Sequence, residues 1–231
     1  MKGYNNVDEE KLFSLFIDKE NQYTMPVLKG REVIATEGHR IIYVRKEVCE
    51  GQYEPTDRYN LRFLEERRRI TIPLKLLQDA YNNLPKVEQE HYDEESCAEC
   101  NGTGEVEWEY CTKGGEVIYK DHDCPICDGE GSFKKNLRKI LEVPSYSTIN
   151  VLGYVISAGS LKSLIDALIM LGKHSVELVV FKGRKKPFAQ FRVDENIKIV
   201  CAKMSHYFPF DGNISFKQMK QYEIQQKDKV R

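Results

Sequence analysis

Two stretches of this chain, PLKLLQDAYNNLPK at residues 73–86 and SLKSLIDALIMLGK at residues 160–173, match each other in register. Seven of the fourteen positions are identical, and the apolar positions recur at the three- and four-residue spacing of an amphipathic helix. Each copy therefore predicts a helix with one buried face. Two equivalent helices indicate a duplicated unit, although residues that favour helices in general also produce some of this likeness.

Extended segments surround the second helix. A run at residues 150–157 leads into it, and three apolar or alternating runs follow it at residues 176–181, 187–193 and 197–202, with turn residues between them. This order predicts a βαβββ unit.

Extended segments also flank the first helix, but an inserted segment interrupts the strands that follow this helix. Residues 69–72 lead into the helix, a strand opens at residues 87–90, and residues 139–143 are expected to resume the sheet. The predicted fold class is α+β, with a duplicated βαβββ unit and an inserted hairpin. The predicted parts are a discontinuous domain at residues 1–90 and 132–215, the insertion at residues 91–131, and a polar C-terminal tail at residues 216–231.

The insertion contains two cysteine frames of one pattern, CAECNGTG at residues 97–104 and CPICDGEG at residues 124–131. A CxxC turn places two thiolates on one side of a tight knuckle, and two knuckles supply the four ligands of a closed tetrahedral zinc site. The glycines let the chain turn after the ligands and direct backbone amides toward sulfur. A disulfide or a redox dithiol is the alternative. The predicted ligands of one structural zinc ion are Cys97, Cys100, Cys124 and Cys127.

These frames resemble the cysteine-rich zinc domain of DnaJ-type chaperones, which contains four CxxCxGxG frames and two zinc ions. Only two frames occur here, so the resemblance covers residues 97–131 and implies one zinc ion. The His-Pro-Asp tripeptide of the J-domain does not occur in the sequence. The resemblance therefore gives no support to co-chaperone activity through a J-domain.

A second motif lies nearer the N-terminus, where residues 32–36 and 40–44 flank a turn at Gly38 and predict a β-hairpin. Its sequence IATEGHRI at residues 34–41 resembles the ATDGHRL signature of bacterial DNA polymerase sliding clamps. Together with the repeated unit, this resemblance implies a clamp-like fold. A clamp subunit has three domains, whereas this chain without its insertion is long enough for little more than one, so a ring would require a homo-oligomer.

The clamp resemblance implies two binding surfaces. Clamp helices offer basic side chains to the phosphates of double-stranded DNA, a contact that weakens with salt. The matching DNA-binding candidates are Lys75, Lys86, Lys162 and Lys173. The second surface is a pocket for a linear peptide of a polymerase or another protein. Its matching positions are Thr36, Gly38, His39, Arg40, Ile41 and Cys201. The alternatives are an ordinary solvated helix surface and an exposed turn without a partner.

Charge is distributed unevenly along the chain. The net charge is −1, yet residues 87–133 have 14 acidic and 2 basic side chains, and residues 134–231 have 8 acidic and 18 basic ones. The C-terminal part is therefore the one suited to a polyanion, although a solvated basic surface is the alternative. The acidic segment at residues 87–133 is better suited to bind a protein than a nucleic acid.

Composition indicates the cellular compartment of the chain. No run approaches the ~20 apolar residues of a membrane span, and the N-terminus lacks the apolar core of a signal peptide. Seven cysteines, four of them in metal-binding frames, fit a reducing compartment. The expectation is a cytoplasmic protein without a membrane partner. Cys201 lies in an apolar run that is typical of a buried residue.

Motifs for catalysis do not occur. The sequence contains no nucleophile elbow, phosphate-binding glycine loop or paired-carboxylate motif, and its five histidines have no spacing that suggests a triad. The sequence predicts a non-enzymatic, DNA-associated, clamp-like interaction platform with a structural zinc arm. The alternative function is a protein-binding or chaperone-like adaptor that uses the zinc hairpin without DNA contact.

Overall fold

The structure is a computed structural model that describes residues 1, 4, 7–17, 25–58, 65–182, 188–204 and 211–229. The chain divides into two compact units, which we call the core unit (Met1–Pro85 and Val143–Arg231) and the arm (Lys86–Glu142). In chain order the helices and strands are α1 (Glu9–Ser14), β1 (Val27–Lys29), β2 (Glu32–Thr36), β3 (Arg40–Arg45), β4 (Glu66–Pro73), α2 (Leu74–Asn82), β5 (Val87–Ser96), β6 (Glu105–Cys111), β7 (Val117–Asp123), β8 (Ser132–Glu142), β9 (Thr148–Val151), β10 (Tyr154–Ser157), α3 (Ala158–Met170), β11 (Ser175–Phe181), β12 (Phe188–Arg192), β13 (Ile197–Ala202), β14 (Gly212–Ile214) and α4 (Phe216–Lys229).

The core unit is built on a seven-stranded antiparallel sheet with the order β1-β2-β3-β13-β12-β11-β4. A smaller sheet has the order β10-β9-β14, in which β14 runs parallel to β9. The fold is therefore α+β, as the sequence predicts. The predicted hairpin near the N-terminus is present as β2 and β3, and β13 pairs with β3 on its other side.

The predicted βαβββ order around the second helix is present as β10, α3, β11, β12 and β13. The run at residues 150–157 is not one strand, however, because β9 and β10 form a tight hairpin through Leu152 and Gly153. Both turn residues have positive φ angles, 52° and 94°. Leucine rarely adopts this conformation, which explains why the sequence does not indicate the turn.

Around the first helix, β4 and α2 are present as predicted, but the expectation that residues 139–143 resume the core sheet is wrong. β8 instead pairs with β5 from Val87↔Glu142 to Ser96↔Ser132, so both strands belong to the arm. The arm is therefore longer than the predicted insertion at residues 91–131.

The hydrophobic core lies on one face of the large sheet. Alternate residues of its central strands, such as Ile42 and Ile199, are fully buried there with the apolar face of α3, where Leu161, Leu164 and Leu168 are inaccessible to solvent. Burial of each of these side chains contributes about 1.5–3 kcal/mol to stability. The helix ends in a Schellman motif at Gly172, whose φ angle is +64°.

Residues 216–231, predicted as a polar tail, contain α4 up to Lys229. Its start is a capping box, because the Gln218 N–H donates to Ser215 Oγ and the Ser215 N–H donates to Gln218 Oε1. Met219 anchors the helix in the core. Among the described residues, no helix has the length and apolar character needed to cross a membrane.

Candidate functional site

The four cysteines of the two frames converge in the arm. The knuckle at residues 97–104 precedes β6, the knuckle at residues 124–131 follows β7, and the paired strands bring both knuckles together. All four sulfur atoms lie within 4.8 Å of one another, and all four cysteines are buried. This cluster can bind one metal ion.

The sulfur distances fit a tetrahedral metal site. Cys97 Sγ lies 3.9 Å from Cys124 Sγ, and Cys100 Sγ lies 3.8 Å from Cys127 Sγ. A tetrahedral ion with metal–sulfur bonds of about 2.3 Å separates its ligands by about 3.8 Å. A disulfide would require about 2.05 Å. The geometry therefore favours a metal site over the disulfide alternative.

Backbone amides support the sulfur ligands in both knuckles. The Gly104 N–H donates to Cys100 Sγ at 3.3 Å, and the Gly131 N–H donates to Cys127 Sγ at 3.2 Å. Such bonds stabilise a thiolate, which is the ligand form of cysteine. The two knuckles therefore offer equivalent surroundings to a metal ion.

The knuckle glycines cannot be replaced without distortion. Gly104 has a φ angle of +81°, and a Cβ atom there would lie 2.3 Å from the Gly129 carbonyl oxygen. Gly131 has a φ angle of +75°, and its Cβ would lie 2.5 Å from the Gly102 oxygen. Both the positive φ angle and the close approach of the two backbones therefore require glycine.

The thiols differ in pKa because they share one small volume. Burial alone would raise the pKa of Cys100, but hydrogen bonds from the backbone of Gly104 and Gly102 outweigh it and lower the pKa to about 6. Burial raises the pKa of Cys127 to about 12, and its neighbouring thiols add to this effect. One thiolate thus disfavours the next, and a divalent cation is needed to ionise all four.

A second site begins at the turn between β2 and β3. Thr36 Oγ1 donates to the Arg40 carbonyl oxygen at 2.8 Å and accepts from the Gly38 N–H at 2.9 Å, while Gly38 has a φ angle of +101°. Glu37 Oε1 accepts from the backbone N–H groups of His39 and Arg40. These bonds fix the turn and leave the His39 side chain exposed.

This turn borders a cavity of about 310 Å³. Its lining consists of Glu37, His39, Arg40, Ser145, Tyr146, Ser157, Gly159, Ser160 and Met204. The Arg40 guanidinium lies close to the backbone at Gly159, because a Cβ atom there would be 3.5 Å from Arg40 Nη1. The wall thus combines a carboxylate, a guanidinium, an imidazole and serine hydroxyls with the side chains of Tyr146 and Met204, so polar groups predominate.

Two further predicted positions lie beside this cavity. Ile41 is half-buried, and it packs with Ile34, Tyr43 and Val200 on the sheet face that lies away from the main core. Cys201 pairs with Arg40 across β13 and β3, but its side chain is completely buried. It therefore presents no surface to a partner.

The predicted DNA-binding lysines of the two helices are paired with aspartates. Lys75 Nζ lies 2.8 Å from Asp79 Oδ1 on α2, and Lys162 Nζ lies 2.5 Å from Asp166 Oδ1 on α3. These are equivalent positions of the internal repeat, 87 residues apart. Each helix surface therefore presents an ion pair rather than an isolated positive charge.

The other two predicted lysines lie in different surroundings. Lys173 Nζ lies 2.8 Å from Asp194 Oδ2 and 5.6 Å from the centre of the Tyr4 ring, and the Tyr4 hydroxyl donates to Asp194. Lys86 is exposed and belongs to the arm. The four predicted DNA-binding lysines therefore differ in their surroundings.

Comparisons with known proteins concern the fold only. No protein-family model matches the sequence, and no curated protein matches it. Among solved structures, the DNA polymerase III beta subunit of Thermotoga maritima is similar over 86% of this chain and 62% of its own, at 10% identity and a TM-score of 0.41. The DNA polymerase sliding clamp of Bacillus subtilis is similar over the same shares, at 11% identity and a TM-score of 0.40. This chain spans less than two thirds of those chains.

Sequence reasoning missed most of the cavity wall. Ser145, Ser157, Ser160 and Met204 are far from the turn in sequence, and the repeat that begins at Ser160 indicates a helix rather than a pocket wall. Ser157 is recognisable only as the N-cap of α3, because its side chain accepts from the Ser160 N–H. The strand pairing that brings these residues to the turn is a property of the folded chain.

Proposed function

We propose that this chain is a non-enzymatic, clamp-like interaction platform that binds a linear peptide of a partner protein and has a structural zinc arm. The observation that supports this best is the 310 Å³ cavity beside residues 37–40. Its volume is at the lower end of the usual range of about 300–1,000 Å³, which suits one or two side chains of an extended peptide. Arg40 and the serine hydroxyls would orient the peptide backbone or a carboxylate.

Selection of binders from a display library of random linear peptides tests this pocket. Peptides enriched on the wild-type chain should lose about tenfold or more in affinity for His39→Ala and Arg40→Ala, because these side chains line the cavity. The His174→Ala variant is the matched control, since His174 is also exposed on the core unit. Equal binding to all three variants would contradict the pocket.

We propose zinc as the metal of the cysteine cluster. Zinc accepts four thiolates in tetrahedral geometry, and such a closed site leaves no position for a reactive water molecule. The metal would therefore serve folding rather than catalysis. Metal analysis of the purified chain should give one zinc per molecule, and a chain without zinc or with another stoichiometric metal would refute this assignment.

We also propose double-stranded DNA as a ligand of the surface formed by Lys75 and Lys162. The core unit has 28 basic and 21 acidic side chains, since the arm contains 7 of the 35 basic and 15 of the 36 acidic ones. The paired aspartates compete with phosphate, so DNA binding should be weak and strongly dependent on salt.

Fluorescence anisotropy with a short labelled duplex at low salt tests DNA binding. Asp79→Asn and Asp166→Asn should strengthen binding because they release the lysines, whereas Lys75→Glu and Lys162→Glu should weaken it. Lys113→Glu in the arm is the control charge reversal. If neither pair of variants changes the anisotropy, this surface does not bind DNA.

A second candidate function is a protein-binding adaptor without DNA contact. The observation that favours it is the charge compensation of Lys75 and Lys162 by neighbouring aspartates. The adaptor is the better account if the duplex is not retained even by the Asp79→Asn and Asp166→Asn variants. A solution mass that matches a monomer, with or without DNA, would also favour the adaptor function.

A further inference from the structure

The outer part of the arm is a two-stranded hairpin with two different faces. β6 and β7 pair from Glu105↔Asp123 to Cys111↔Val117, and residues directly opposite each other share a face. We call one side the aromatic face: Val106, Trp108 and Tyr110 with His122, Lys120 and Ile118. We call the other side the acidic face: Glu105, Glu107 and Glu109 with Asp123, Asp121 and Tyr119.

The aromatic face is open to solvent. Trp108 is 54% exposed, Tyr110 is 64% exposed and Ile118 is 45% exposed. Large side chains of this kind contribute most of the binding energy in protein interfaces. A face with three of them on adjacent positions of one hairpin is therefore suited to a partner.

The acidic face is not neutralised. None of the six carboxylates between residues 105 and 123 forms an ion pair with a described residue, and the register places Glu105 opposite Asp123 and Glu107 opposite Asp121. Like charges directly opposite each other destabilise a strand pair. The hairpin therefore gains stability from any cationic group that binds there.

The base of the same arm shows the contrasting arrangement. Three carboxylates of β5 form ion pairs with basic side chains of β8, as in Glu88–Lys139 at 2.8 Å and Asp93–Arg138 at 2.6 Å. Glu95 pairs with Lys135 in the same way. The carboxylates at residues 105–123 thus lack the cross-strand ion pairs that three carboxylates of β5 form at the base of the arm.

The outer edges of this hairpin have free backbone groups. In the ranges 65–182, 188–204 and 211–229, no third strand pairs with β6 or β7. β6 has the sequence EVEWEYC, in which acidic and apolar residues alternate, whereas β7 has Lys120 on the aromatic face. An added strand also alternates its side chains between two faces.

We propose that the open edge of β6 binds an extended segment of a partner polypeptide in which apolar and basic residues alternate. The segment adds a third strand to the hairpin through backbone hydrogen bonds. Its apolar side chains lie beside Trp108 and Tyr110, and its basic side chains lie beside Glu105, Glu107 and Glu109. This surface and its partner are distinct from the cavity at residues 37–40 and from the lysines of α2 and α3.

Trp108 reports binding at this surface directly, because it is the single tryptophan of the chain. The probe is a synthetic peptide of alternating valine and lysine, about as long as β6. With the full-length chain we expect a blue shift of the Trp108 emission and reduced quenching by acrylamide. Affinity should fall as salt is added. A valine–glutamate peptide of equal length should have no effect.

Matched variants separate the outer hairpin from the rest of the arm. Glu107→Gln combined with Glu109→Gln should weaken peptide binding roughly tenfold, because it removes two charge pairs with the basic side chains of the peptide. Glu88→Gln combined with Glu95→Gln removes two carboxylates that are already paired, so it should bind like wild type. His39→Ala and Arg40→Ala should also bind like wild type, which distinguishes this surface from the proposed pocket.

The backbone contribution has its own test. A valine–lysine peptide with an N-methyl group on every amide cannot donate backbone hydrogen bonds from either edge, so it cannot form the ladder and should not shift the emission. Binding by that peptide, an equal response to the valine–glutamate peptide, or an unchanged Trp108 signal would each overturn the proposal. A shift that depends on protein concentration alone would also overturn it, because a second copy of the chain would then be the occupant.

Discussion

The glycines of the two cysteine knuckles are as restrictive as the cysteines themselves. Gly104 and Gly131 combine a positive φ angle with a backbone approach that excludes any Cβ atom. The same residues donate the N–H groups that support Cys100 and Cys127. At the scale of single residues, the metal site therefore depends on six positions rather than four.

Substitution of Gly104 by alanine tests this dependence. Gly104→Ala should lower metal affinity about 10- to 100-fold, because it displaces a backbone donor to a ligand sulfur. Gly115→Ala is the control, since Gly115 in the β6–β7 turn also has a positive φ angle of +82° but has open space around its Cβ position. Competition with a chromophoric chelator measures both variants. Equal losses of metal affinity in Gly104→Ala and Gly115→Ala would mean that backbone strain at a positive φ angle, rather than the displaced donor, lowers the affinity.

Asp194 provides a pH-dependent contribution to the core unit. Burial alone would raise its pKa, but the Lys173 ammonium, the Asn196 N–H and the Tyr4 hydroxyl outweigh burial and hold the pKa below its usual value. A carboxylate with a lowered pKa stabilises the folded state above its unfolded pKa of about 4, and this stabilisation is lost as the pH falls through the folded pKa.

Asp194→Asn should therefore destabilise the chain at neutral pH, and its difference from wild type should shrink below about pH 4. Urea unfolding at several pH values measures this difference. Asp211→Asn is a control on the surface of the same unit, where Asp211 accepts from the Thr148 N–H. A difference that stays constant with pH would contradict the assigned role of ionised Asp194.

Among the elements, α4 shows how a local signal can be present but overlooked. Its composition is polar, which suggests a tail, yet the sequence SFKQ at residues 215–218 is a capping box followed by residues that favour helices.

The lysines of the internal repeat also have a local signal, which predicts their ion pairs. An aspartate lies four residues after Lys75 and after Lys162, and this spacing predicts the ion pairs observed on α2 and α3.

Removal of the cap should loosen α4. Ser215→Ala should lower the local stability of the helix by about 1 kcal/mol, because the Gln218 N–H loses its acceptor. Amide hydrogen exchange at Met219 and its neighbours measures the change. Gln221→Ala, in the exposed middle of the same helix, should leave exchange almost unchanged. Similar exchange in both variants would mean that packing alone maintains the helix.

The whole molecule consists of two units that are stabilised in different ways. The core unit has an extensive hydrophobic core, whereas the buried cluster of the arm consists of the four cysteines with Val106 and Phe133 packed against it. So small a cluster offsets little of the chain entropy of the arm, and we therefore expect the arm to depend on a bound metal ion for its stability.

Cys97→Ser should therefore abolish metal binding and unfold the arm while the core unit keeps its structure. Hydrogen exchange should become fast between residues 97 and 131 and stay slow in α3. Cys111→Ser is the control, since Cys111 is exposed and lies outside the cluster. Loss of protection in α3 as well would show that the two units fold together.

Features that depend on short spacing are evident in the amino-acid sequence. Each cysteine frame, the helix periodicity and the turn at Gly38 involve residues that are close in sequence, so the local pattern was enough to predict α2, α3, the β2–β3 hairpin and the two knuckles that cluster the four cysteines. The α+β class can also be predicted from the sequence, because both helical and alternating segments occur along the chain.

The pairing of distant strands is evident only in the folded chain. The acidic residues of β5 and the basic residues of β8 appear in the sequence as opposite charge blocks, but their pairing forms three ion pairs at the base of the arm, whereas the carboxylates of the β6–β7 hairpin have none with a described residue. The cavity likewise joins residues 37–40 to Ser145, α3 and Met204. Such contacts depend on long-range strand pairing and packing, which no local pattern encodes.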